Sequence, residues 1–84
     1  MEEKEIGKIT HYYSKLSVGL IELTDALKTG DTIRIKGHSA DFTQQVTSMR
    51  IEYQDIQEAA AGQTVGVKVD QKVHQNDKVY KVTV

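Results

Sequence analysis

The chain has 84 residues, 38% of them hydrophobic and 6% aromatic, with no cysteine and no proline. That length sets one domain with one compact core, and the missing thiols exclude disulfides and thiolate metal sites. Eleven Lys+Arg against 12 Asp+Glu leave a net charge of −1, so there is no global basic field for phosphate, and nucleic-acid binding would need a local patch.

Residues 1–5 are acidic and polar, unlike the head of a signal peptide, and read as a solvated tail. Residues 6–84 read as a single domain. No apolar run approaches the roughly 18 residues of a membrane span, which gives a cytoplasmic protein as the expectation.

Ile6 to Tyr13 mixes β-branched and aromatic residues at strand spacing, with Ile9, His11 and Tyr13 on one face and Lys8, Thr10 and Tyr12 on the other. A two-residue gap, Ser14-Lys15, leads into a second strand over 16–23, the spacing of a hairpin. Gly19 inside that strand marks a bulge or the close approach of another backbone.

A short connection then ends at Gly30, which can take positive φ, and Asp31 can bond nearby backbone N–H groups. The strand 32–36 alternates cleanly, with Ile33 and Ile35 inward and Arg34 and Lys36 outward. Phe42 and Val46 share a face, whereas Met49, Ile51 and Tyr53 have opposite parity, so a bulge is expected near Thr47-Ser48 in one long strand. Residues 55–61 read as a helical turn or loop closed by Gly62. Val65, Val67 and Val69 form a fifth strand, and 78–84 a sixth. Six strands spaced roughly 8–15 residues apart favour a sandwich or barrel.

The spacing Leu27-Lys28-x-Gly30-Asp31-x-Ile33-x-Ile35, then Val46-x-Ser48-Met49, then Ala59-x-Ala61-Gly62-x-x-Val65-Gly66, closing with Asp77-x-Val79-Tyr80-x-Val82, resembles the second domain of translational GTPases. The segments His11-Tyr12-Tyr13-Ser14-Lys15 and Gly37-His38-Ser39-Ala40-Asp41-Phe42 are similar to free-standing translation-elongation-factor-like proteins and to the accessory barrel of collagenase-type peptidases. The resemblance covers about residues 6–82. It implies an all-β fold, a small six-stranded antiparallel barrel, acting as a binding or positioning module with catalysis placed elsewhere. A phosphate loop of the form Gly-x-x-x-x-Gly-Lys-[Ser/Thr] is absent, so nucleotide hydrolysis does not carry over.

No residue set argues for an enzyme. Histidines 11 and 38 with Asp41 match no ligand spacing, and whether they converge is left open by the sequence; surface or turn histidines are the ordinary reading. The serines lack a Gly-x-Ser-x-Gly elbow, and Asp25, Asp31, Asp41 and Asp55 sit at expected turns, where capping explains them. The candidate partner-binding residues are Tyr12, Tyr13, Lys15, Arg34, Lys36 and His38, a mixture of aromatic and cationic side chains able to stack bases and contact phosphates. Adjacent tyrosines point to opposite faces, so at most one of Tyr12 and Tyr13 is a core residue. Two functions stay open: a non-enzymatic module binding RNA or ribonucleoprotein, or a protein-interaction adaptor working in trans with a peptidase- or GTPase-like partner. Neither calls for a cofactor, a nucleotide or a membrane.

Overall fold

The computed structural model describes residues 2–37 and 40–83. Among them are ten strands: β1 Glu2–Tyr13, β2 Val18–Leu23, β3 Leu27–Lys28, β4 Thr32–Lys36, β5 Asp41–Gln45, β6 Met49–Ile51, β7 Gln54–Ile56, β8 Glu58–Ala59, β9 Thr64–Lys68 and β10 Lys78–Thr83. Eight of them form one antiparallel sheet in the order β5-β4-β10-β1-β2-β9-β6-β7, and β3 pairs with β8 in a separate two-stranded sheet. The all-β expectation holds. The expected six-stranded barrel is not what the ladder forms: strands are more numerous and shorter, and β5 and β7 remain open ends of the large sheet.

The sheet is nonetheless rolled, and a side chain shows how far. Gln44, on β5, is buried; its Nε2 donates to the Lys68 carbonyl at 2.7 Å, and its Oε1 accepts from the Asp70 N–H at 2.8 Å. Lys68 ends β9, four strands further along the order than β4, so the sheet has curled until its β5 edge meets the end of β9. Backbone bonds near the same edge, Gly30 N–H to the Val46 carbonyl and Val46 N–H to the Asp31 carbonyl, add to the closure. The enclosed core contains Ile6, Ile9, Ile21, Leu23, Leu27, Ile33, Ile35, Val46, Met49, Val65, Val67 and Val73, each essentially without solvent contact.

Several local expectations change for physical reasons. The residues read as a tail, Glu2–Glu5, start β1 and pair with Tyr80–Thr83; their side chains are exposed, which accounts for the polar composition, but ion pairs Lys4–Asp25 at 2.6 Å, Glu3–Arg34 at 2.9 Å and Glu5–Lys78 at 3.1 Å hold them. The segment read as a helical turn holds β7 and β8 instead, because Leu27 and Lys28 offer Ala59 and Glu58 a partner strand, and tertiary pairing overrides a two-turn helical tendency. The parity change after Val46 is real, with Phe42, Gln44 and Val46 buried before it and Met49 after it. It arises from a corner, not a bulge: the chain leaves β4 as a neighbour and joins β9.

The true bulges lie in β1. Its register with β10 shifts between Glu5 and Gly7, and its register with β2 shifts between Ile9 and His11. The second shift moves Tyr12 to the inner face beside Gly19 and Val67, where it packs on the core, and turns His11 and Tyr13 outward. Ile9 therefore does not share a face with His11 and Tyr13, as a regular strand would require.

Replacing Gln44 with Ala strands the Lys68 carbonyl and the Asp70 N–H, and should cost about 2 kcal/mol, lowering Tm by roughly 10 °C in a thermal melt. Acid should weaken the fold as well. A hydrogen bond from Arg34 holds the Asp41 carboxyl below its usual range, and one from Lys4 does the same for Asp25. Depressed carboxylates stabilise the folded state above their unfolded value of about 3.9 and lose that contribution as pH falls through the folded value. Melts from neutral pH downward should thus be flat until about pH 4 and decline below it. Asp41→Asn should melt lower than the natural chain at neutral pH and converge with it in strong acid, and parallel curves would contradict this assignment.

Candidate functional site

Three large apolar side chains are exposed among the described residues: Tyr13 at 44%, Leu16 at 66% and Tyr53 at 97%. All three line one groove of about 380 Å³, completed by Val18, Leu20, Arg50 and Glu52. Two hairpin tips build it. The first is the β1–β2 turn, where the Leu16 N–H bonds the Tyr13 carbonyl and Ser17 takes φ 56°. The second is the two-residue turn between β6 and β7.

In that second turn both central residues are left-handed, Glu52 at φ 50° and Tyr53 at φ 68°. Such a turn matches the twist of a hairpin but favours Asn-Gly. A bulky tyrosine there is out of its ordinary conformation, and the result is a ring held almost wholly in solvent. Arg50 at the rim is fixed by Asp55, Nε to Oδ1 at 2.7 Å. Gly66 pairs with Leu20 and Arg50, and a Cβ there would stand 3.2 Å from the Val18 side chain, so glycine leaves the wall residues Val18 and Leu20 their places.

The six residues singled out from the sequence do not form one surface. Tyr13 belongs to the groove, in edge contact with His11 at 4.5 Å between ring centroids. Lys15 is exposed in the hairpin turn beside it. Tyr12 faces the core. Arg34 is committed: Nε and Nη2 donate to the two Asp41 carboxylate oxygens at 2.7 and 2.8 Å, and Nη1 donates to Glu3 at 2.9 Å. Those hydrogen bonds, from Asp41 first, raise the guanidinium's pKa further and leave little of it for a phosphate. Lys36 stands across from Lys78 and Asp41 on the far part of the sheet. His38 lies outside the described residues.

The acid–base constellation does not assemble from the part that is described. Two strands, β4 and β10, separate Asp41 on β5 from His11 on β1, and Asp41 is already paired with Arg34. No group of three or more His, Asp or Glu among the described residues is placed to hold a metal ion, and no helix is long and apolar enough to cross a membrane. Leu16 and Tyr53 were missed by sequence reading. An apolar residue at a hairpin tip, and a tyrosine at a turn position that favours glycine, were the available signals.

No family model matches the chain. It is 43% identical over 77 residues, 90% of its length, to an uncharacterised protease of Methanocaldococcus jannaschii, and 35% identical over 78 residues to a collagenase of Porphyromonas gingivalis. The chain spans only about a fifth of these relatives, 19% and 22% of their lengths. Its fold is that of the crystallised C-terminal domain of a putative U32 peptidase from Geobacillus thermoleovorans, with a TM-score of 0.89 over 95% of this chain and 93% of that one at 18% identity. The likeness to collagenase-type peptidases is therefore borne out, in the part of such proteins that is a small all-β domain. The likeness to the second domain of translational GTPases has no counterpart among these relatives.

Proposed function

We propose that the chain is a non-catalytic accessory module that docks through the Tyr13–Leu16–Tyr53 groove onto a peptidase-like body, supplied by a separate subunit or by another part of the same protein. The carrying observation is that every exposed large apolar side chain of the described residues lines this one groove. Exposed apolar residues scattered singly are ordinary, but their gathering into one patch marks an interaction surface. The matched relatives support the choice of partner: each carries roughly four times as much chain again beyond the part resembling this one. The RNA reading has no comparable support, since Tyr12 and Arg34 are engaged within the fold and the net charge is −1.

The test is calorimetric titration of the chain into a U32-type peptidase body lacking its own small β-domain. Leu16→Ser and Tyr13→Ala should each weaken association by about 1–2 kcal/mol, as truncation of an interface anchor does, with little change in Tm because both side chains are exposed. Tyr53→Gly should separate binding from stability most clearly. Relief of the left-handed tyrosine should stabilise the chain by up to about 1 kcal/mol, while association is lost. Unaltered affinity in all three variants would remove the groove from consideration.

A further inference from the structure

The registers of five adjacent strands place one row of outward side chains across the sheet: Asp41 on β5, Lys36 on β4, Lys78 on β10, Lys8 on β1 and Glu22 on β2. Three lysines are thus direct cross-strand neighbours, and all three are exposed. With strands about 4.8 Å apart, the stems stand within roughly 10 Å of one another.

Like charges directly opposite each other destabilise a sheet, and the Lys36–Lys78 and Lys78–Lys8 pairs are relieved only in part by the carboxylates Asp41 and Glu22 at the ends of the row. Glu5 reaches Lys78 at 3.1 Å, but neither Lys8 nor Lys36 forms an ion pair among the described residues, and Asp41 beside Lys36 is taken by Arg34. General solubility does not require such a concentration, because the remaining charges of the chain are mixed and its net charge is −1.

We infer that Lys8, Lys78 and Lys36 form a recognition row for an acidic segment of a protein partner, with two or three carboxylates as its ligand. The ends of the row select this class over nucleic acid. Asp41 and Glu22 close it on either side, and Glu3 and Glu5 lie along β1 beside it. A phosphate backbone running beyond three lysines would meet carboxylates, whereas a short acidic cluster ends where the row ends. The nearest aromatic of this face, Tyr80, is half-buried between Arg34 and Glu5, which gives bases no open platform for stacking.

A cleft of about 200 Å³ between Lys8 and Lys78 is walled by Glu5, Glu22 and Thr24, so its two carboxylates bar an anion from that side and leave the Lys8–Lys78–Lys36 crest as the contact. The row also continues into the groove's face. Along β2, Glu22, Leu20 and Val18 project outward at steps of two, and the last two line the groove. The inference does not depend on the groove, because the row can be probed with an acidic peptide alone.

The experiment titrates the full chain, at low and at physiological salt, with hexaglutamate and with a single-stranded RNA hexamer, and repeats this with Lys8→Gln/Lys36→Gln and with Lys72→Gln, an exposed loop lysine outside the row. Hexaglutamate should bind at low salt and weaken as salt rises. The double variant should lose about tenfold or more in affinity, at roughly one charge contact per lysine removed, and Lys72→Gln should lose almost none. Tighter binding of RNA than of hexaglutamate, no hexaglutamate binding at low salt, or equal loss in Lys72→Gln would each overturn the inference.

Discussion

The structure depends on β1 holding two different neighbours at once. Its first half pairs with β10 and most of its length beyond Gly7 pairs with β2, and antiparallel ladders on the two sides cannot both keep a flat register when the sheet must roll. The two bulges resolve this. Each inserts a residue, bends the strand and increases its twist. Around them the backbone finds substitute partners: the Ile6 carbonyl accepts from Thr24, and Ile9 exchanges bonds with Asn76 and Asp77 at 2.7 Å. No buried side-chain polar atom among the described residues lacks a partner. With β1 bent, the sheet curls far enough for Gln44 to reach the end of β9, and the isoleucines of β1, β2 and β4 meet in one interior.

The same bulges determine which side chains are available to other molecules. Without the shift at Thr10, Tyr13 would point inward with Ile9 and Tyr12 would be the exposed ring. The shift reverses them, and it places Tyr13 opposite Val18 and His11 opposite Leu20 on the outer face. The groove is thus a consequence of β1's irregularity combined with the β6–β7 turn at its rim.

What was legible in the sequence is what local chemistry alone dictates. The strand with Ile33 and Ile35 inward, and the one carrying Val65 and Val67, alternate without interruption and were read with the correct faces. Gly30 and Gly62 take φ of 94° and 90°, as their places after Lys28-Thr29 and Ala60-Ala61 indicated, and Asp31 accepts from the Lys28 N–H at 3.0 Å. The β1 bulge at Thr10 carries no glycine or proline, so nothing local announces it, whereas Gly7, where a Cβ would meet the Glu22 carbonyl oxygen, flanks the bulge at Ile6. The corner after Val46 and the β3–β8 pair are settled by partners far away in sequence. The lysine row is wholly non-local: Lys8, Lys36 and Lys78 become neighbours only through the strand order.

Both surfaces share a physical character. A left-handed tyrosine at a turn suited to Asn-Gly costs stability, and three lysines in register set like charges side by side, in a structure whose buried polar side chains are otherwise satisfied among the described residues. Neither is needed for the roll of the sheet, which β1 and Gln44 secure by other means. Local departures from the most stable choice tend to gather where a protein meets something else. The two are linked along β2, whose outward Glu22 stands opposite Lys8 and whose Leu20 and Val18 line the groove, while Lys36 lies two strands further round the sheet. A partner reaching along β2 from the groove would bury the rings of Tyr13 and Tyr53 and meet Lys8 at its far end, gaining specificity from both contacts. That arrangement suits a module whose work is to hold a larger body in one orientation, since two chemically unlike contacts at fixed separation define a direction that a single apolar patch does not.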